Sequence, residues 1–192
     1  MRTFILRSIL FITTFICFGQ VVKSLLPYYW GNAWLVHKHA NGHDDIVEAN
    51  YIFIGSSRTY RHIIPTVFDS ILTLNGIPGR SYNLGSPAVF PPQSYFLLEK
   101  AIEEGDISNG CTVFLELSET REIPSDQLGS ARASYWSNIH DLLYVLDYGI
   151  RCAPDSIKQR LIKSHSSVYF QNLFSIAQYR GMMDRTDVLD IT

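Results

Sequence analysis

Residues 51–58 read Tyr51-Ile52-Phe53-Ile54-Gly55-Ser56-Ser57-Arg58, a short apolar run that ends at a glycine and turns polar at once. Four β-favouring residues without alternation are the pattern of a strand buried on both faces of a parallel sheet. Downstream, Pro65–Leu74 places Val67, Phe68, Ile71, Leu72 and Leu74 at helical spacing. Pro65 sits at a favoured first-turn position, and Asn75-Gly76 closes the segment. Arg80–Leu84 reads as a second strand ending at Gly85. Pro91–Glu104 reads as an amphipathic helix, with Tyr95, Leu98 and Ile102 on one face and Gly105 as its stop. Cys111–Leu117 is a third strand. The order β-α-β-α-β over 51–117 predicts a parallel sheet.

Beyond Ser118 the strand signals fade. Ala133–Tyr148, Asp155–Lys163 and Val168–Met183 read as helices, and no closing strand precedes Thr192. Three strands are few for an open parallel sheet, so the fold reads as incomplete or the sequence as truncated.

Upstream, Phe4–Val22 (FILRSILFITTFICFGQVV) is apolar, with Arg2 and Arg7 ahead of its most apolar part, Ile9–Phe18, and Lys23 after it. A spanning helix needs roughly 20 mostly apolar residues. The run meets this if Arg7 snorkels to the interface. Two arginines on the short flank favour that end staying inside, which places the remainder outside the cytoplasm. Tyr28, Tyr29 and Trp30 follow as an interfacial belt would. A cleaved signal peptide is the competing reading, although no A-x-A-like site is visible. A buried core helix is the third, and it leaves Arg7 needing a partner. Gly31–Asn50 is polar and reads as a connector off the membrane. The organisation is thus an anchor at 1–24, a connector at 25–50, an α/β core at 51–118 and a helical segment at 119–192.

Charged residues make up 18 % of the 192 residues, aromatic residues 13 %, and the net charge is −2. That composition supports a core and argues against disorder. No Lys/Arg cluster forms a stripe able to track phosphates, so nucleic acid is not an indicated partner. Cys17, Cys111 and Cys152 include no CxxC pair. Cys111 and Cys152 can pair in an oxidising compartment. The simpler reading makes both buried thiols that act as small apolar residues. His37, His39 and His43, with Asp44 and Asp45, resemble a metal-binding tract but lack a second ligand cluster. They read as part of a solvated linker, and no metal or cofactor is called for.

In open α/β sheets, ligands bind outside the carboxyl ends of the strands. Three such ends are legible: Gly55–Arg58, Asn83–Ala88 and Glu116–Glu119. A serine on a tight turn after a strand can serve as a nucleophile, with nearby backbone N–H groups binding an oxyanion. The alternative is that Ser56 or Ser57 simply caps the turn. Arg58 suits a ligand carboxylate or phosphate, or an ion pair with Glu116 or Glu119. Glu116 is either a perturbed carboxylate or an anchor accepting backbone N–H groups.

IFIGSSRTYRHIIPTVFD, followed by YNLGSPA, a helix and VFLELS, resembles the SGNH/GDSL hydrolase superfamily. More narrowly it resembles the membrane-anchored, extracytoplasmic branch that carries G-S-S in place of G-D-S. The likeness covers roughly Tyr51–Ser118. It implies a flavodoxin-like parallel sheet and an esterase or O-acyltransferase acting on a cell-envelope glycan or polymer. It implies Ser57 as nucleophile, the Ala88 N–H as an oxyanion donor where the family has Gly, and Ser118 where the family has an Asn donor. Arg58 and Asn83 would contact substrate. The family's D-x-x-H block, which supplies the base, is absent from the sequence. His62, five residues after Ser57, does not share its helical face. His140 and His165 read as exposed or core histidines. The second hypothesis is therefore a non-catalytic, membrane-anchored module that binds an envelope polysaccharide or a partner membrane protein. A third is a gene fragment without stable function.

Overall fold

In the computed structural model, which describes residues 1–174, Tyr51–Ile54 forms β1 at the centre of a parallel sheet. Its neighbours are β2 (Ser81–Asn83) and β3 (Thr112–Leu115), in the order β2-β1-β3. Tyr51 lies opposite Ser81 and Thr112, and Phe53 opposite Asn83 and Phe114. Ile52, Phe53 and Ile54 are buried, as an apolar strand with a neighbour on each side requires. On the edge strand β3, Phe114 stacks on Phe53 at 4.8 Å, yet 44 % of it stays exposed.

The chain divides into two compact units, residues 32–121 and residues 1–31 with those from 122 onward. In the sheet unit, α2 (Ala33–Val47) precedes β1. The β1–β2 connection carries α3 (Ser57–His62) and α4 (Pro65–Leu74), and α5 (Gln93–Glu103) joins β2 to β3. The expected span of α4 is met at both ends. α5 turns a different face inward than its pattern suggests. Ser94, Phe96, Leu97 and Ala101 are buried, whereas Ile102 is exposed.

The expected connector at 25–50 is not one. Residues 33–47 are helical, and Asn32 caps them by accepting from the N–H groups of Trp34 and Leu35. Leu35, His39 and Ile46 are buried, at helical spacing that the surrounding polar residues mask. Gly42 sits at a kink in α2, where an added Cβ would lie 2.6 Å from the Tyr82 Oη.

In the other unit, α1 (Arg2–Ser24) is one continuous apolar helix. It is long and apolar enough to cross a membrane, with mean hydropathy 1.9 over its best 18 residues. The helix expected at 133–148 is instead α6 (Ala131–Ser134), a break, and α7 (Ile139–Arg151). Asn138 accepts from the Asp141 N–H and starts α7 afresh. The segments expected at 155–163 and 168–183 are one helix, α8 (Asp155–Leu173). Residues 175–183 of that expectation lie outside the described residues. α7 packs on α8 through Val145, Ala153 and Leu161. Gly149 allows this, since a Cβ there would lie 3.1 Å from Ile162. All three thiols are free; of the two expected to be buried, Cys152, at the C-cap of α7, is exposed and Cys111, just ahead of the edge strand β3, is half-buried.

Candidate functional site

The site expected from the strand ends lies entirely in the sheet unit. Ser56 and Ser57 stand at the carboxyl end of the central strand, and one of them, Ser56, takes the capping role. Ser56 is the N-cap of α3, accepting from the Arg58 N–H at 3.3 Å. It is buried, and its hydroxyl donates to Glu116 at 2.9 Å. Ser57 is the first helical residue, half-buried, and its hydroxyl bonds no described residue.

Glu116, just past β3, gathers this turn. Its Oε2 accepts from the Ser56 N–H at 2.8 Å and the Thr59 hydroxyl at 2.7 Å. Its Oε1 accepts from the Arg58 Nε at 3.0 Å and lies 2.8 Å from Arg58 Nη2. Burial acts to raise the Glu116 pKa, but the hydrogen bonds from Thr59 and Ser56 and the charge of Arg58 together outweigh it. The carboxyl is held down at about 2. Both readings of Glu116 are therefore met. Arg58, expected to contact substrate, is held in this ion pair. Gly55 makes the approach possible, because a Cβ there would lie 2.2 Å from Thr59 Oγ1 and 2.5 Å from Glu116 Oε2.

The second strand end is tied to the first. The Ser86 N–H donates to the Gly55 carbonyl at 2.9 Å. Asn83 is buried and its carboxamide is engaged by backbone. It donates to the carbonyls of Thr59 (2.9 Å) and Ile63 (2.8 Å) and accepts from the Gly85 N–H (2.8 Å). The expected substrate contact through Asn83 is thus replaced by a brace between β2 and α3. An Asn at a strand end reads the same way in sequence whether its partner is substrate or backbone. Ala88 adopts φ 56, the left-handed region that favours glycine. Its N–H donates to no described residue. Ser118 is half-buried in the loop after β3, and its hydroxyl bonds no described residue.

Several participants were not anticipated. Lys38, on α2, donates to the carbonyls of Asn83 and Gly85, the latter at 2.8 Å. Its ammonium lies 5.0 Å from the centre of the Tyr60 ring, which packs on Trp34 at 5.1 Å. Burial pushes the Lys38 amine down to about 8. His39, read as part of a solvated tract, is buried. Its ring nitrogens face the Leu35 carbonyl at 2.8 Å and the Asp106 carboxylate at 3.2 Å. The available signal was Asn32 ahead of Leu35, His39 and Ile46, a helix start followed by helical spacing. Among the described residues no group of three or more His, Cys, Asp or Glu side chains could hold a metal. His62 and His140 are exposed, His165 is buried beside Trp136 at 5.9 Å, and none bonds Ser57.

No protein-family model, curated protein or solved structure matches this chain.

Proposed function

We propose that this chain is a membrane-anchored, SGNH/GDSL-like module in which Ser57 is the nucleophile of an esterase or O-acyltransferase acting on a cell-envelope glycan or polymer. The observation that carries the reading is the division of labour at the end of β1. Ser56 is consumed by capping and by Glu116, while Ser57 keeps a hydroxyl that bonds no described residue, two positions after Gly55, whose carbonyl accepts from the Ser86 N–H.

In this reading the Ser57 Oγ attacks the ester carbonyl carbon. Its proton passes to a base, the carbonyl π pair moves onto oxygen, and the oxyanion is bound by the N–H groups of Ser57 and Ala88. Collapse expels the alcohol, which takes up the proton, and leaves an acyl-Ser57. Water or a glycan hydroxyl then accepts the acyl group. In this reading Ser118 supplies a further donor. Glu116 positions the turn and is not the base, because a carboxyl held at about 2 is a weak proton acceptor. α1 is the anchor, with the domains outside the cytoplasm.

The second reading, a binding module without catalysis, is favoured by one observation. No histidine is bonded to Ser57 among the described residues, and an unactivated serine hydroxyl is a poor nucleophile. Treating the protein in its native membranes with a fluorophosphonate probe decides between them. Labelling that disappears in Ser57→Ala with the fold intact supports the enzyme. An unlabelled, folded wild type refutes it and leaves the binding module.

A further inference from the structure

α7 has two apolar faces, and among the described residues its own unit covers only one. Leu142, Val145 and Gly149 are buried, with Gly149 against α8. Beside them Ile139, Leu143, Leu146 and Ile150 follow at i, i+4, i+7 and i+11, which places them along one stripe of a helix. Leu143 is 55 % exposed and Ile150 67 %, and Ile139 is exposed as well. Asp147, His140 and Arg151 border the stripe on its far side, followed by the stacked pair Tyr144–Tyr148 at 6.5 Å. Apolar, charged and tyrosine bands around one helix are the composition of a segment lying in a bilayer interface.

The placement of this helix identifies what covers it. α7 packs on α8, and α8 contacts α1 within the same unit. The buried residue of α1 is Gly19, near its C-terminal end. A helix of 23 residues is about 34 Å long at 1.5 Å per residue, close to the roughly 30 Å of hydrocarbon it has to cross. Its C-terminal end, which carries Lys23 and is followed by Tyr28 and Tyr29, therefore falls at the headgroup level, and the α7–α8 pair is joined to this helix through α8. On α8, Lys158 pairs with Asp155 and Arg160 with Glu122, each at 3.2 Å, and the exposed Lys163 has a stem that reaches phosphate headgroups by snorkelling.

We propose that the Ile139–Leu143–Leu146–Ile150 face of α7 lies in the headgroup–acyl boundary of the bilayer crossed by α1. This rests on the reading of α1 as a spanning anchor. The occupant is the lipid surface, and the depth is about 5–10 Å. The helical unit is then held to the membrane at α1 and again along α7.

The test uses the full chain with Cys17, Cys111 and Cys152 replaced by serine, reconstituted in vesicles of phosphatidylcholine and phosphatidylglycerol. Single cysteines at positions 143, 150, 144 and 12 carry a nitroxide, and relaxation by oxygen is compared with relaxation by a water-soluble nickel chelate. Labels at 143 and 150 are expected to favour oxygen and the label at 144 to favour nickel. The label at 12 reports the anchor separately. If 12 favours oxygen while 143 and 150 resemble 144, the anchor stands and this inference is overturned. If 143 and 150 are shielded from both reagents, protein covers the face and the inference is also overturned. If 12 favours nickel, the anchor fails and this inference with it.

Discussion

Replacing Glu116 with Gln removes the charge that gathers the turn after β1 while keeping the shape of the side chain. Gln accepts weakly from the Ser56 N–H and the Thr59 hydroxyl, and the Arg58 guanidinium loses its ion pair. The Glu116 carboxyl drops from an ordinary 4.5 to about 2. At 1.36 kcal/mol per pH unit this bounds the stabilisation at about 3 kcal/mol. Arg58 is 61 % exposed on its side of the pair, and solvent screening there brings the figure to about 2 kcal/mol. For a chain of this size that is a fall in Tm of about 4–8 °C. The sign with pH follows from the depressed folded-state value. The contribution is complete above 4.5 and disappears as pH falls through about 2. Thermal unfolding of the full-length protein in detergent, followed by circular dichroism at pH 7, 4 and 2.5, measures it. Wild type and Glu116→Gln should differ most at pH 7 and converge at the acid end. An equal deficit at pH 7 and pH 2.5 would refute the electrostatic account, because packing loss does not titrate.

Gly55→Ala should cost at least about 2 kcal/mol in the same assay, because its Cβ falls within 2.6 Å of Thr59 and Glu116 atoms. An unchanged Tm would mean that the turn has room to open. Ala88→Gly should stabilise by about 1 kcal/mol by relieving the left-handed backbone at φ 56, and Ala88→Val should do the opposite. A destabilising glycine would show that this conformation carries no strain. Lys38 has an amine held at about 8, below its ordinary 10.5. Between those values the unfolded chain binds the extra proton, so stability should rise with pH there. Lys38→Met should abolish that rise, and a flat wild-type profile from pH 8 to 10.5 would contradict the burial argument.

The sheet was legible because its signals are local. Tyr51–Ile54 has no polar residue to place on a solvent face, and Pro65 and Asn75-Gly76 bracket α4. The apolar character of α1 is equally a property of the chain itself. The polar brackets at three strand ends marked where a site belongs in a parallel sheet. What sequence left open, at each such residue, was its partner. Ser56 and Ser57 are adjacent and chemically identical. Only the position of Glu116, sixty residues after Ser56, makes one a cap and leaves the other free. Asn83 and Arg58 carry the groups of a substrate contact, but backbone carbonyls and the Glu116 carboxylate reach them first. Residues 33–47 read as polar because three buried positions are spread over three helical turns among exposed ones. Periodicity shows which residues share a face. Which face is buried depends on what packs there, and for α2, α5 and α7 that was decided by the tertiary structure.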